Sequence, residues 1–93
     1  MRLVGRQLLD DFAAQHAEIR GPLNAWIAEV EEAEWRAPAD VKARFPSASF
    51  LADNRVVFNI KGNKFRIETK VSYEVAVVLA IRIGTHAEYS KWK

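Results

Sequence analysis

At Arg55 the hydrophobic rhythm of this chain changes. Upstream, Leu8, Leu9, Phe12, His16 and Ile19 recur at helical spacing, and Leu23, Trp26, Ile27, Val30 and Ala33 do the same. Downstream, apolar and polar residues alternate. A recurrence of three to four residues lays apolar side chains along one stripe of a helix, whereas strict alternation sends them to one face of a strand. A chain patterned this way buries its apolar surface most simply by laying the helices on one face of one sheet.

The upstream pattern predicts a first helix from about residue 6 to 19. Gly21-Pro22 breaks and restarts the chain, with Pro22 at a first helical position where its missing N–H costs nothing. A second helix then runs to a stop before Pro38, whose ring disfavours helical geometry at Ala37. The short link predicts a helical hairpin. Glu29, Glu31, Glu32 and Glu34 lie mostly off the apolar stripe and read as a solvated face. Residues 38–54 carry two prolines, two serines and two aspartates. They predict irregular structure with one helical turn around 41–44. Three strands follow, at 55–60, 64–72 and 75–83, and residues 1–4 offer a further strand at a sheet edge. The order is β-α-α-β-β-β: an α+β fold with a helical hairpin packed on one face of a small antiparallel sheet.

At 93 residues the chain reads as one domain over 1–93, with 49% hydrophobic and 28% charged residues, too apolar for disorder. It contains no cysteine, which removes disulfides, thiolate zinc sites, iron–sulfur clusters and cysteine nucleophiles. With only His16 and His86, a histidine-rich metal site cannot be assembled, and no metal or cofactor is expected. The longest apolar run, residues 75–81, is far short of the roughly 20 residues that span a bilayer, so no membrane role is expected. The first residues lack the apolar core of a signal peptide, and the cytoplasm is the expected location. Gly62-Asn63-Lys64 lacks the upstream glycine and the Lys-Ser/Thr pair of a phosphate-binding loop.

The register of the predicted sheet gathers the basic residues. Lys61-Gly62-Asn63-Lys64 reads as a two-residue hairpin with Gly62 at positive φ. Lys61 then faces Lys64, and the pairing runs back through Asn59–Arg66, Val57–Glu68 and Arg55–Lys70. Opposite residues share a face. The other face pairs Ile60–Phe65, Phe58–Ile67 and Val56–Thr69, so it suits the helices. A one-residue slip would bury Lys64 and Arg66, which fixes the register. In the third strand Val77, Leu79, Ile81 and Ile83 share one parity, and Val78, Ala80 and Arg82 the other. A second turn near residues 73–75 sets Arg82 beside Arg66.

Charge follows the same division. Residues 1–54 hold 6 basic and 9 acidic groups, whereas residues 55–93 hold 8 basic and 3 acidic. The polar sheet face therefore carries Arg55, Asn59, Lys61, Lys64, Arg66, Lys70 and Arg82, relieved mainly by Glu68. A face of nearly uniform sign with three arginines suits a phosphate backbone. His86, the side chain best matched to proton transfer near neutrality, follows at its rim. Tyr89 and Trp92 suit either base stacking or the packing of a C-terminal turn. His16 lies on the apolar stripe and reads as structural.

The run Val57-Phe58-Asn59-Ile60-Lys61-Gly62-Asn63-Lys64-Phe65-Arg66-Ile67, followed by Ile83-Gly84-Thr85-His86-Ala87-Glu88-Tyr89, resembles the HigB family of bacterial toxins. The shared pattern is F-N-I-x-G-N-K-Y/F-R, a strand, then G-T-H-x-E-Y. Looser matches at Trp35 and at residues 41–46 extend the resemblance over most of the chain. It implies a RelE-like fold and the toxin of a type II toxin–antitoxin module. Such a protein is a messenger-RNA interferase, usually acting on ribosome-bound message and neutralised by a helix-turn-helix antitoxin. It also marks Asn59, Lys61, Lys64, Arg66, His86 and Tyr89 as candidate functional residues. The chain departs from the pattern at Phe65, where tyrosine is common, and at Ser90, where aspartate often follows the tyrosine.

RNA carries its own nucleophile, the 2′-hydroxyl, so its cleavage needs a base, an acid for the leaving 5′-oxygen and cations for the phosphorane. Arg66 and Arg82 suit the phosphorane, Lys61 and Lys64 the backbone or a proton, and His86 general acid or base catalysis. Glu68 reads either as a partner base or as a spacer between cations. Catalysis therefore falls to His86, Lys64, Arg66 and Lys61. RNA binding falls to Asn59, Arg55, Lys70, Arg82, Tyr89 and Trp92. A non-catalytic RNA- or ribosome-binding module would use the same face, and a purely protein-binding domain would use the acidic helical half.

Overall fold

A computed structural model describes residues 1–92. Its elements are β1 (Arg2–Val4), α1 (Arg6–Gln15), a 3-10 turn (Ala17–Ile19), α2 (Arg20–Glu32), α3 (Pro38–Arg44), β2 (Ser49–Leu51), β3 (Arg55–Ile60), β4 (Phe65–Ser72), β5 (Val77–Thr85) and α4 (His86–Tyr89). The five strands form one sheet in the order β1-β5-β4-β3-β2, with β1 parallel to β5 and every other pair antiparallel. The α+β expectation holds, with the edge strand at the N-terminus in place.

Of the stripes predicted for the two helices, Leu9, Ile19, Leu23, Trp26, Ile27 and Val30 are buried, and Leu8, Phe12 and Ala33 are partly buried against them. Leu9, Ala13, Ile19, Leu23, Trp26, Ile27 and Val30 form one core with Val56, Phe58, Ile60, Phe65, Ile67, Val71, Val78 and Ala80. Phe58 is its centre: Trp26 meets it edge-on at 5.3 Å, Phe45 at 5.2 Å, and Trp35 stacks on it at 6.1 Å. His16 is structural as expected, stacked on Phe12 at 4.1 Å and edge-on to Phe65 at 5.9 Å.

Three local expectations are corrected. The helix break falls at His16, not at Gly21-Pro22, and Pro22 becomes the third residue of α2. Proline is tolerated there because the first-turn N–H groups have no intrahelical acceptor. The single turn expected at 41–44 is the longer α3, started by the Asp40 carboxylate. That group accepts hydrogen bonds from the Arg36 and Ala37 amides at 2.8 and 3.1 Å. The segment read as irregular ends in β2, whose short pairing with β3 carries little periodic signal.

The first hairpin has the predicted register from Arg55–Lys70 through Asn59–Arg66 to Ile60–Phe65. The ladder stops there, so residues 61–64 are a four-residue loop in which Lys61 and Gly62 both take positive φ, 54° and 64°. The second hairpin departs from its expected register. Thr69 pairs with Ala80 and Glu68 with Arg82, which leaves Ile81 unpaired as a β-bulge. The extra residue switches parity along β5. Val78 and Ala80 face the helices before the bulge and Ile83 after it, while Leu79 and Ile81 are 40% exposed on the open face. Arg82 consequently sits opposite Glu68, and Gly84, not Arg82, lies opposite Arg66.

Candidate active site

The open face of the sheet begins from a carboxylate. Glu68 points away from the helices, yet only 3% of it is exposed. A buried carboxylate needs compensation, and two guanidiniums supply it. Arg82 Nε donates to Glu68 Oε1 at 2.7 Å, and Arg55 Nη1 donates to Oε2 at 3.3 Å. β3, β4 and β5 each contribute one member of this triad, and the bulge puts Arg82 in place. With both oxygens engaged, Glu68 fits the reading of a spacer between cations. Val57, buried beside Glu68, is an apolar member of a face expected to be polar.

Arg66, two residues earlier on β4, is also buried. Its Nη1 donates to the Asn63 carbonyl at 3.0 Å, and its Nη2 lies 3.0 Å from His86 Nδ1. A guanidinium can only donate, so Nδ1 accepts, and the neutral ring carries its proton on Nε2. His86 is held from its backbone as well, where its N–H donates to the Lys64 carbonyl at 2.9 Å.

The turn that presents His86 is short and well capped. Thr85 Oγ1 accepts from the Glu88 N–H at 3.2 Å, and the Glu88 carboxylate accepts from the Thr85 N–H at 2.8 Å. This reciprocal cap holds the Glu88 carboxyl below its ordinary value of 4.5, first through the Thr85 backbone hydrogen bond. The spacing Thr85-x-x-Glu88 is a capping-box signature legible in the sequence. Beyond it the chain folds back over the sheet. Tyr89 meets Trp92 edge-on at 5.4 Å, the Arg66 guanidinium lies 5.4 Å from the Tyr89 ring, and that of Arg82 lies 4.6 Å from Trp92. Trp92 comes this close because Gly84 has no side chain: a Cβ there would fall 2.8 Å from Trp92 Cζ2.

The structure thus brings Arg55, Arg82, Tyr89 and Trp92 together around Glu68, and sets the Arg66–His86 pair beside them through the Tyr89 ring. It separates the others. Lys61 and Lys64 turn toward the helical side, 3.6 and 3.7 Å from the Glu18 carboxylate, on the exposed loop. Asn59 donates to the Ser47 carbonyl at 3.3 Å, and Lys70 is exposed opposite Arg55 and Leu79. Among the described residues no group of three His, Asp or Glu side chains is placed to hold a metal ion, and no helix is long and apolar enough to cross a membrane.

A helical layer behind a mostly antiparallel sheet, with its opposite face left open and cationic, defines a small α+β domain of RelE-like type. A model of the HigB toxins, the RelE-like toxic component of a toxin–antitoxin system, matches residues 19–92. The chain belongs to this HigB toxin family, and an antitoxin is therefore among its partners. Over 91 residues, covering 96% of this chain and 88% of the relative, it is 29% identical to the mRNA interferase toxin HigB of Escherichia coli (strain K12). The same figures hold for the mRNA interferase HigB of Escherichia coli O157:H7 and for that of Shigella flexneri.

Proposed function

We propose that this chain is a messenger-RNA interferase: an endoribonuclease that cleaves message by in-line attack of the RNA 2′-hydroxyl and so inhibits translation. The observation that carries the reading is the Arg66–His86 contact at 3.0 Å, a phosphate-binding cation touching a proton-transfer group on the open face. In the free protein each occupies the other. An RNA phosphate that draws the guanidinium onto its oxygens releases Nδ1, leaving an imidazole with one free lone pair and one N–H. Those are the two functions that base and acid catalysis require.

The 2′-oxygen attacks phosphorus as its proton leaves, the P–O5′ bond breaks, and the 5′-oxygen takes up a proton. The products are a 2′,3′-cyclic phosphate and a 5′-hydroxyl. Arg66 offsets the charge that develops on the phosphorane oxygens, while Arg82, tied to Glu68 and the Trp92 carbonyl, serves RNA binding. Lys64 and Lys61 lie on an exposed rim whose ion pairs with Glu18 are weak, so backbone phosphates can displace them. Arg55, Lys70 and Asn59 extend the backbone track, and Tyr89 and Trp92 offer stacking surfaces. Because the nucleophile comes from RNA and the counter-charge from arginines, the reaction proceeds without a metal. The ribosome is the proposed place of action, in the cytoplasm, and a helix-turn-helix protein the proposed antitoxin.

The test is cleavage of message in a translating extract. Wild type should yield 2′,3′-cyclic phosphate ends at an unchanged rate in a chelator that leaves ribosomal magnesium in place, such as one selective for transition metals. His86→Ala should lose about 10²- to 10⁴-fold in rate. Full activity of a folded His86→Ala protein removes the histidine from the mechanism. Retained RNA binding with no cleavage by wild type would instead favour a binding module that uses the same face.

A further inference from the structure

The triad also floors a cavity of about 230 Å³, lined by Leu51, Arg55, Glu68, Arg82, Tyr89 and Trp92. We infer that this cavity takes one nucleobase of the RNA and selects guanine. The inference rests on the RNA-cleaving reading above and adds to it a basis for choosing where to cut.

The floor is preorganised. Arg82 donates to Glu68 through Nε, donates to the Trp92 carbonyl through Nη2 at 3.2 Å, and lies against the Trp92 ring. The Glu68 side chain is 5% exposed, and it lines the cavity beside both of its arginines. A carboxylate this buried adds little net stability, because desolvation consumes most of what its ion pairs return. Its use lies in what it presents. Each carboxylate oxygen has two lone pairs and spends one on an arginine, so a ligand that brings N–H donors can take the remaining ones.

The chemistry of the floor is thus a carboxylate acceptor flanked by guanidinium donors, with aromatic walls. Guanine matches it on adjacent atoms: O6 and N7 accept from a guanidinium, and N1–H and N2–H donate to a carboxylate. Adenine has only its N6 amino group to give, placed where the arginines also donate. Pyrimidines offer a smaller surface to Tyr89 and Trp92. Gly84 is a positioning residue in this arrangement, since its missing Cβ lets Trp92 form the wall.

The experiment titrates tryptophan fluorescence with four trinucleotides, UGU, UAU, UCU and UUU, each 2′-O-methylated so that it cannot be cleaved. Trp26 and Trp35 are buried in the core, so the response comes from Trp92, and Trp92→Phe should remove it. UGU should bind about tenfold tighter than the other three. Glu68→Gln should bring that ratio below about threefold. Gly84→Ala should weaken all four alike and leave the ratio intact. Arg55→Gln, at a side chain 36% exposed, should also lower the ratio and decides the matter if Glu68→Gln does not fold. Equal binding of the four, preference for another base, absence of saturable quenching, or a ratio that survives both substitutions overturns the inference. Cleavage in extract is scored separately. A protein that cuts message but binds the four alike loses the guanine site and keeps the nuclease. One that prefers UGU and leaves message intact keeps the site and loses the nuclease.

Discussion

On the helix-covered face of the sheet, Val56, Phe58, Ile67 and Val71 are shielded by two helices, and their neighbours are almost wholly apolar. One residue along the same strands, on the other face, stand Arg55, Arg66, Glu68 and Arg82, each held by directional hydrogen bonds to another polar group. Shape complementarity organises the first face and charge organises the second. Two adjacent positions on one strand therefore meet different surroundings: Ile67 packs into the core, while Arg66 and Glu68 are tied into polar contacts on the open face. The difference also explains how one small sheet carries both a core and a cationic cluster, since alternation delivers both faces from one set of strands.

Substitutions on opposite faces should separate the two properties. The largest effect is expected from Phe58→Ala, which removes a fully buried ring at the centre of three aromatic contacts. It should cost about 3–5 kcal/mol in denaturant unfolding, and any loss of RNA cleavage should track the unfolded fraction. Arg66→Ala should do the reverse: about 10²- to 10³-fold slower cleavage by a protein whose unfolding midpoint moves little. If Arg66→Ala unfolds the protein as Phe58→Ala does, the two faces are not separable. Leu79→Ser, at a 40% exposed position on the open face, should change stability by no more than about 0.5 kcal/mol. A larger loss would show that the apolar part of this face contributes to packing.

The smallest effect is a pH dependence of the C-terminal turn. The Glu88 carboxyl is more acidic in the folded protein than its ordinary value of 4.5. Its contribution is therefore complete above about pH 4.5 and is lost as the pH falls through the lowered folded value. Trp92 fluorescence, followed through that window, should report loosening of the turn before the helix-covered core unfolds. Glu88→Gln should remove the acid-dependent step.

The change from helices to strands at Arg55, the register of the first hairpin and the shared face of Arg55, Asn59 and Arg66 are all legible in the amino-acid sequence. These follow from alternation and from a nearby turn, both local properties. His86 beside this face was legible too, because the G-T-H run follows directly from the last strand. The partner of Arg82 depends instead on how the sheet closes over the core. Val78 and Ile83 are five residues apart and so of opposite parity, yet both pack toward the helices, and an unpaired Ile81 is what reconciles them. That bulge is set by a core closing from both ends of β5, a condition no window of the sequence contains. The same holds for Lys61 and Lys64, drawn toward Glu18 by a helical turn more than 40 residues earlier. It holds for Trp92 as well, which reaches Arg82 only because the chain folds back across Gly84.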